Sequence, residues 1–228
     1  MTEVARQATA AVLISGGGSN LQALIDAAGR GDIAMQIAVV ISNRPDARGL
    51  ERARDAGIAT ECIENSTIED RHAFDRALAE SIDRYSPDVL ILAGFMRILS
   101  AGFVAHYAGR ILNIHPSLLP AYPGLHTHQR AIDNNDDWHG CTVHFVTEEL
   151  DGGPPIIQAR VPVQAEDTAA TLAARVLDME HQIYPIAADL LASGRIRYEN
   201  GSTLLDGKPL ERPIAYPGKI EEMGSEQI

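Results

Sequence analysis

Short, continuous apolar segments alternate with amphipathic helical segments through the first half of the chain. Residues 10–15, 37–41 and 89–93 are clear examples, and each is too short for a typical buried helix. A strand that is apolar on both faces is typical of a parallel sheet covered by helices. Because helical crossovers join parallel neighbours, we predict an α/β fold with a doubly wound, mostly parallel, twisted sheet of the Rossmann-like type.

The second half of the chain predicts a different edge for this sheet. Residues 141–146 alternate apolar and polar side chains, and a tight turn over 148–154 leads to another strand over 155–161. This pair indicates a mixed or antiparallel C-terminal edge. A long helical pattern follows, with a kink expected at Pro185, and a small β appendage is predicted over 195–205.

The composition suits one folded domain that acts on small molecules. A length of 228 residues with 45% hydrophobic side chains is enough for one full core. We expect this domain to cover residues 8–207, with a flexible N-terminus over 1–7 and a flexible tail over 208–228. The net charge of −12 makes nucleic acid and anionic membranes poor partners.

The cysteines and the N-terminus indicate a cytoplasmic protein. Cys62 and Cys141 form no recognisable motif, which is typical of small buried hydrophobic side chains in a reducing compartment. The first residues contain no apolar signal core, and no apolar run approaches the length that spans a membrane.

A glycine-rich turn, Gly16–Asn20, directly follows the first apolar segment and precedes a helix. Glycines let a ligand approach the backbone N–H groups, and a helix N-terminus attracts anions. The turn lacks the lysine of a P-loop, and Leu21 occupies the third glycine position of a dinucleotide fingerprint. Two interpretations stay open here, a plain turn between strand and helix or a site for a monophosphate.

Asn113 and His115 follow the apolar residues Ile111 and Leu112, which we expect to end a strand. Residues two apart on a strand point to the same side, so the amide and the imidazole would project together. Ligands bind at the carboxyl ends of strands in open α/β sheets. The alternative is a histidine at the edge of the core beside an asparagine that caps a turn.

Three further features each allow a structural and a functional interpretation. The segment Gly94–Leu99 follows the most apolar strand and could line an apolar slot, or it could be core with Arg97 on the surface. Asp151 precedes two glycines, where an aspartate is usually a turn residue. His126 and His128 have no cysteine or carboxylate at metal spacing, so we expect no metal.

Capping boxes are expected at the start of two helices. Ser19 with Gln22 would cap the first helix, and Ser66 with Glu69 would cap the helix with the buried face of Phe74 and Leu78.

Asn113, His115 and Asp151 together suit acyl transfer to an amine. A carboxylate beside an imidazole orients the ring and favours its charged form. The imidazolium and the Asn113 amide can both donate to a developing oxyanion. Ser117 lacks the setting of an activated nucleophile, so direct attack by a substrate amine is the better hypothesis.

The segments Asn113–Pro120 and Tyr122–His128 closely resemble the glycinamide ribonucleotide transformylase family, and the resemblance extends from about Val12 to about Gly207. It implies transfer of a formyl group from 10-formyltetrahydrofolate to the amine of glycinamide ribonucleotide in purine biosynthesis. It also implies a formyltransferase fold in a monomer or homodimer that uses no metal.

The resemblance also implies roles for individual residues. The catalytic residues would be Asn113, His115 and Asp151. The residues that bind the ribonucleotide would be Gly18, Ser19, Asn20 and Glu180, although Glu180 could equally be an exposed helical residue. The residues that bind the folate would be Arg71, Met96, Arg97, Ile98, Leu99, Asn113, Glu148 and Asp151.

Three other functions stay open. A formyltransferase that acts on initiator methionyl-tRNA would share the Asn-x-His-Pro core, but the acidic charge and the lack of a basic C-terminal domain disfavour it. A formyltetrahydrofolate hydrolase usually carries an extra N-terminal domain, whereas the first strand here begins by about Ala10. A nucleotide-binding regulator would not need the three polar residues of the catalytic set.

Overall fold

A computed structural model describes residues 7–64, 68 and 70–217 of the chain. The strands are β1 Ala8–Ile14, β2 Met35–Ser42, β3 Ala59–Cys62, β4 Val89–Leu92, β5 Ile111–His115, β6 Trp138–Phe145, β7 Pro155–Pro162, β8 Ile196–Glu199, β9 Ser202–Leu205, β10 Lys208–Pro209 and β11 Ile214–Tyr216. The helices are α1 Ser19–Arg30, α2 Arg48–Asp55, α3 Arg71–Asp83, α4 Ala101–His106, α5 Thr127–Asp133 and α6 Ala169–Ala192.

Eight strands form one sheet in the order β11-β7-β6-β5-β4-β1-β2-β3. Strands β3, β2, β1, β4 and β5 are parallel to one another, as the alternating pattern predicts. Strand β6 is antiparallel to both β5 and β7, and β11 adds a parallel edge strand beside β7. The predicted α/β fold with a mixed C-terminal edge is therefore confirmed, and β8 to β10 form the small separate sheet.

The central strands are buried on both faces because each face is covered by helices. Along β1, Ala10, Val12 and Ile14 belong to one hydrophobic cluster, whereas Ala11 and Leu13 belong to the cluster on the opposite face. Residues of α1, α2 and α6 complete the first cluster, and residues of α3 and α4 complete the second. The alternation of one strand between two cores explains why the apolar run is continuous.

Helix α6 is joined to the middle of the sheet by one tyrosine. Tyr184 is fully buried, and its hydroxyl lies 2.9 Å from the Leu92 carbonyl and 3.1 Å from the Leu112 carbonyl. The Leu92 carbonyl lies at the end of β4, and Leu112 belongs to the neighbouring strand β5. A buried hydroxyl must find a partner, so this contact sets the position of α6 against the middle of the sheet.

The start of helix α1 differs from the prediction. The capping box of Ser19 with Gln22 is wrong, because Gly18 in the left-handed conformation precedes α1 and Ser19 is already its first helical residue. The amide of Gln22 instead donates to Asp26. The box of Ser66 with Glu69 lies outside the described residues.

The predicted tail begins too early. The prediction of a flexible tail from residue 208 is wrong for residues 208–217, because they include β10 and β11. The carboxyl-terminal strand β11 pairs with β7, and Ile214 is buried against the main core. Pairing with a distant strand is a tertiary interaction that local charge and glycine content do not reveal.

No helix within the described ranges combines the length and the apolar character that crossing a membrane requires.

Close packing between α2 and the glycine turn yields a stability prediction. The Gly49 N–H donates to the Gly16 carbonyl at 3.0 Å, and a Cβ on Gly49 would lie 2.5 Å from the Ile14 side chain. We expect Gly49→Ala to lower the free energy of unfolding by about 1–3 kcal/mol, because the fully buried Ile14 side chain must move and the new Cβ would lie 3.2 Å from Gly18 Cα. Urea unfolding measures this change.

Gly29→Ala is the matched control, since Gly29 lies within α1 and a Cβ there would meet nothing within 4 Å. This substitution should raise the free energy of unfolding by about 0.5–1 kcal/mol. Equal stability of the two variants would contradict the packing described for Gly49.

Candidate active site

Three loops meet at the carboxyl edge of the sheet, after β1, β4 and β5. The Ser15 N–H donates to the Gly94 carbonyl at 3.1 Å, and the Met96 N–H donates to the Ser15 hydroxyl at 2.8 Å. These bonds join the glycine turn to the segment that follows β4. Asn113 and His115 lie at the end of the neighbouring strand β5. The residues predicted to bind two different ligands are thus adjacent, as expected at the carboxyl ends of parallel strands.

His115 is buried, with only 5% of its surface exposed, and both ring nitrogens face oxygen atoms. Its Nε2 lies 2.9 Å from the Tyr122 carbonyl oxygen. Its Nδ1 lies 3.4 Å from Oδ2 of Asp151. The sequence prediction that Asp151 lies beside His115 is therefore confirmed by the geometry. An imidazole in this position can hold a proton on either nitrogen with an acceptor nearby.

Asp151 is a turn residue and a partner of His115 at once. It adopts the left-handed conformation with φ of 52°, which aspartate tolerates better than most residues. Its Oδ2 accepts a hydrogen bond of 2.9 Å from the Gly124 N–H. Its side chain is 8% exposed, so the carboxylate lies beneath the surface beside the imidazole. The two interpretations of Asp151 are therefore not exclusive.

A second histidine, His144, orients the Asn113 amide, and the sequence analysis gave it no role. His144 lies opposite Asn113 in the β5–β6 pair. Its Nδ1 donates to the Phe145 carbonyl at 2.8 Å, which leaves Nε2 to accept from the Asn113 amide at 3.2 Å. Burial lowers the pKa of His144 to about 4, so this ring is neutral at pH 7.

The orientation of Asn113 has a chemical consequence. An amide nitrogen carries two hydrogens, so Asn113 can donate one to His144 and the other to a ligand oxygen. The alternating pattern of β6 already indicates that His144 lies on a strand. The pattern does not reveal that His144 faces Asn113, because this contact depends on the antiparallel register of β5 and β6.

Asn20 and Glu180 form a buried pair behind the glycine turn. The Asn20 amide lies 2.6 Å from Oε2 of Glu180, across a sequence separation of 160 residues. Glu180 is only 7% exposed, so the alternative of an exposed helical glutamate is wrong. Burial raises the pKa of the Glu180 carboxyl, and the hydrogen bond from Asn20 opposes that rise. Gly18 and Ser19 lie beside this pair at the start of α1.

Large apolar side chains are exposed among and beside the residues predicted to bind the folate. Met96 is 74% exposed, Ile98 is 59% exposed and Leu150, on the Asp151 loop, is 56% exposed. Leu99 is buried, so the alternative of a core segment holds for Leu99 and fails for Met96 and Ile98. Exposed apolar side chains beside polar groups are typical of a site for a flat apolar ligand.

The charged residues predicted to contact the folate differ in their surroundings. Arg71 donates to the Leu99 carbonyl, and the Arg97 guanidinium lies 3.9 Å from the centre of the Phe74 ring. Arg71 therefore supports the segment after β4 from helix α3, and Arg97 packs from that segment against the same helix. Arg97 is half-buried rather than a surface residue. Glu148 is exposed on the loop before Asp151.

His128, in the first turn of α5, pairs with His139 on β6, and its Nδ1 lies 3.1 Å from His139 Nε2. His126 directly precedes α5 in the left-handed conformation. Among the residues that the structure describes, no group of three or more His, Cys, Asp or Glu side chains is placed to hold a metal ion.

Comparison with known proteins gives consistent relatives. Residues 8–188 match the family model described as formyl transferase. The phosphoribosylglycinamide formyltransferase of Escherichia coli (strain K12) is 57% identical over 199 residues, which are 87% of this chain and 94% of that protein.

Solved structures agree with these sequence relatives. The phosphoribosylglycinamide formyltransferase from Coxiella burnetii has a TM-score of 0.89 and 48% identity, with 93% of this chain and 100% of that chain covered. Glycinamide ribonucleotide transformylase 1 from Symbiobacterium toebii has a TM-score of 0.86 and 45% identity, with 90% of this chain and 97% of that chain covered.

The buried histidines predict a loss of stability in mild acid. Burial lowers the pKa of both His139 and His144 to about 4, from an ordinary value of 6.5. Between these values the unfolded chain binds more protons than the folded chain, so stability falls as the pH falls from about 6.5 towards 4. Each histidine can lower the free energy of unfolding by at most about 1.4 kcal/mol for each pH unit in this range.

Urea unfolding between pH 7 and pH 5 measures this effect. His139→Gln should give a shallower decrease in the free energy of unfolding than the parent protein. His72→Gln, a change at an exposed residue of α3, should keep the parent's decrease. An identical pH dependence in His139→Gln and the parent would contradict the predicted burial effect.

Proposed function

The chain belongs to the formyl transferase family, and we propose that it transfers the formyl group of 10-formyltetrahydrofolate to the amine of phosphoribosylglycinamide in purine biosynthesis. The observation that carries the proposal is the cluster of Asn113, His115 and Asp151, next to loops that carry exposed apolar side chains. We place this reaction in the cytoplasm. The expectation of a monomer or homodimer stays a prediction.

In the proposed reaction the amine of the acceptor attacks the formyl carbon directly. The formyl oxygen becomes an oxyanion, and the new carbon–nitrogen bond gives a tetrahedral intermediate. This intermediate collapses when the bond between the formyl carbon and N10 of the folate breaks. The acceptor nitrogen must lose one proton and N10 must gain one, so the site needs an oxyanion donor and a group that moves protons.

Asn113 is the proposed oxyanion donor whose position is best defined. Its amide is held by His144, which is neutral because burial keeps its pKa near 4. A neutral acceptor on one side leaves the second amide hydrogen for the substrate oxygen. Donors held in place before the reaction stabilise developing charge without a cost of reorganisation.

His115 is the proposed group that moves protons, and Asp151 stabilises its charged form. When the ring takes a proton from the attacking amine, the imidazolium that forms lies 3.4 Å from Oδ2 of Asp151. The same ring can then return the proton towards N10, directly or through water. Low exposure strengthens the attraction between the imidazolium and the carboxylate.

The glycine turn and the Asn20–Glu180 pair suit the acceptor. The N-terminus of α1 and the free approach to Gly16 and Gly17 provide backbone donors for a phosphate group. The carboxyl of Glu180 is placed behind the turn, where it can accept hydrogen bonds from ribose hydroxyls. The exposed apolar side chains of Met96, Ile98 and Leu150 suit the flat ring of the folate.

The change in folate absorbance on mixing with 10-formyltetrahydrofolate tests the reaction. We expect deformylation only when phosphoribosylglycinamide is also present. Deformylation without it, with release of formate, would identify a hydrolase. Absence of any change in either tube would contradict an enzymatic role and favour the nucleotide-binding regulator.

His115→Ala should slow turnover by roughly 10²-fold or more, because it removes the proposed proton carrier. Binding of the folate should change little, and equilibrium titration of the folate measures this. His106→Gln is the control and should keep the parent's turnover number. A turnover number near the parent's in His115→Ala would remove His115 from the centre of the mechanism.

Glu180→Gln should raise KM for phosphoribosylglycinamide more than KM for the folate, because its carboxyl is proposed to face the acceptor. The amide keeps the size of the side chain but weakens acceptance of hydrogen bonds. Steady-state kinetics with each substrate varied in turn measures the two values. Equal increases in both KM values would contradict the assignment of Glu180 to the acceptor side.

A further inference from the structure

One short turn, residues 122–124, contacts both members of the His115–Asp151 pair. The Tyr122 carbonyl accepts from His115 Nε2 at 2.9 Å, and the Gly124 N–H donates to Asp151 Oδ2 at 2.9 Å. The contact between His115 Nδ1 and Asp151 Oδ2 closes the ring of interactions. The turn is therefore placed to set the relative positions of the imidazole and the carboxylate.

The two contacts of the imidazole differ in length, and this difference locates the proton of the neutral ring. The distance of 2.9 Å to the Tyr122 carbonyl is normal for an N–H donor, and a carbonyl oxygen only accepts. The distance of 3.4 Å to Asp151 is longer than a charge-assisted hydrogen bond. The neutral His115 ring therefore carries its proton on Nε2, and its lone pair is on Nδ1.

Tyr122 is held in this position by its own side chain. Its backbone has a φ of 56°, a left-handed conformation that a tyrosine adopts only when its surroundings impose it. Its hydroxyl donates to Asp136 at 2.6 Å and accepts from the Asn134 amide at 2.7 Å. The Arg130 guanidinium lies 5.0 Å from the centre of the phenol ring. Three residues in and just after α5 thus anchor the carbonyl that faces His115.

We propose that Tyr122 is a positioning residue that selects the Nε2–H tautomer of His115 and so makes Nδ1 the nitrogen that exchanges protons with the substrates. This inference rests on the proposed formyl transfer. The attacking amine gives its proton to the Nδ1 lone pair, and the imidazolium then has N–H groups towards Tyr122 and Asp151. Return of the Nδ1 proton to N10 restores the starting tautomer, so protons balance over one cycle.

Tyr122→Phe tests the role of the anchor because it removes the hydroxyl and keeps the ring and the backbone. The matched control is Tyr85→Phe. The Tyr85 hydroxyl also donates to a carboxylate, that of Glu61 at 2.8 Å, and Glu61 lies in the edge strand β3, which three strands separate from β5, the strand of His115. Both variants lose one hydrogen bond between a phenol and a carboxylate. Tyr122→Phe also loses the bond from the Asn134 amide, and only Tyr122 contacts His115.

Nitrogen-15 NMR of the histidine rings in the protein without substrates reads the tautomer directly. The His115 signals are assigned by their loss in His115→Ala, and the pH is raised until the ring is neutral. We expect a protonated Nε2 and an unprotonated Nδ1 in the parent and in Tyr85→Phe. Tyr122→Phe should shift both nitrogens towards a mixture of tautomers. A protonated Nδ1 in the parent, or unchanged shifts in Tyr122→Phe, would overturn the proposal.

Kinetics supply the second readout. Tyr122→Phe should lower kcat roughly tenfold and leave both KM values nearly unchanged, because only proton transfer is affected. In a His115→Ala background the same substitution should have no further effect on the residual turnover. An additional loss in that background would show that Tyr122 acts independently of His115 and would contradict the proposal.

The NMR experiment and the folate assay can fail independently of each other, so failure of the tautomer proposal is distinguishable from failure of the proposed function. The NMR experiment uses no substrate, so it tests the tautomer even if the folate assay shows a different reaction. A failed folate assay with the expected tautomer would overturn the proposed function and leave the structural part of the inference standing.

Discussion

The antiparallel pairing of β5 with β6 is the constraint on which the site depends. This register places Asn113 opposite His144 and His115 opposite Thr142. A shift by one residue would turn each of these side chains to the other face of the sheet. The core enforces the register, because Leu112 and Ile114 alternate with the two polar residues and are buried. The position of the polar groups therefore follows from the burial of their apolar neighbours.

Burial then decides the chemistry of the site. His144 lies deep enough to stay neutral, so it can only orient Asn113. His115 is nearly as buried, but it lies between a carbonyl and a carboxylate, which suits a ring that takes up and releases a proton. The two histidines lie on adjacent strands, but their different partners suit them to different roles. His144 orients Asn113, and His115 is proposed to move protons. The loops after β5 and after β6 supply the partners of His115, so the proposed catalytic pair of His115 and Asp151 forms only when both loops are folded against the sheet.

Sequence reasoning predicted the parts of this arrangement that depend on local pattern. The strand alternation identified the sheet, and the spacing of two residues put Asn113 and His115 on one side. It could not find the partners of His144 or the burial of Glu180, because these depend on register and on contacts between distant segments. The wrong cap at Ser19 has a similar cause, since the packing of Gly18 against Gly49 sets where α1 begins.

We propose that Asn113 faces the oxyanion of the tetrahedral intermediate and that His115 Nδ1 faces the acceptor nitrogen. A crystal structure with a folate analogue that carries a hydrated aldehyde in place of the formyl group tests both positions, because its two hydroxyl oxygens stand in for the oxyanion and for the acceptor nitrogen. We expect one hydroxyl oxygen within about 3 Å of Asn113 Nδ2 and the other within about 3 Å of His115 Nδ1. A hydrate in which neither oxygen faces these groups would show that the roles assigned to Asn113 and His115 are wrong.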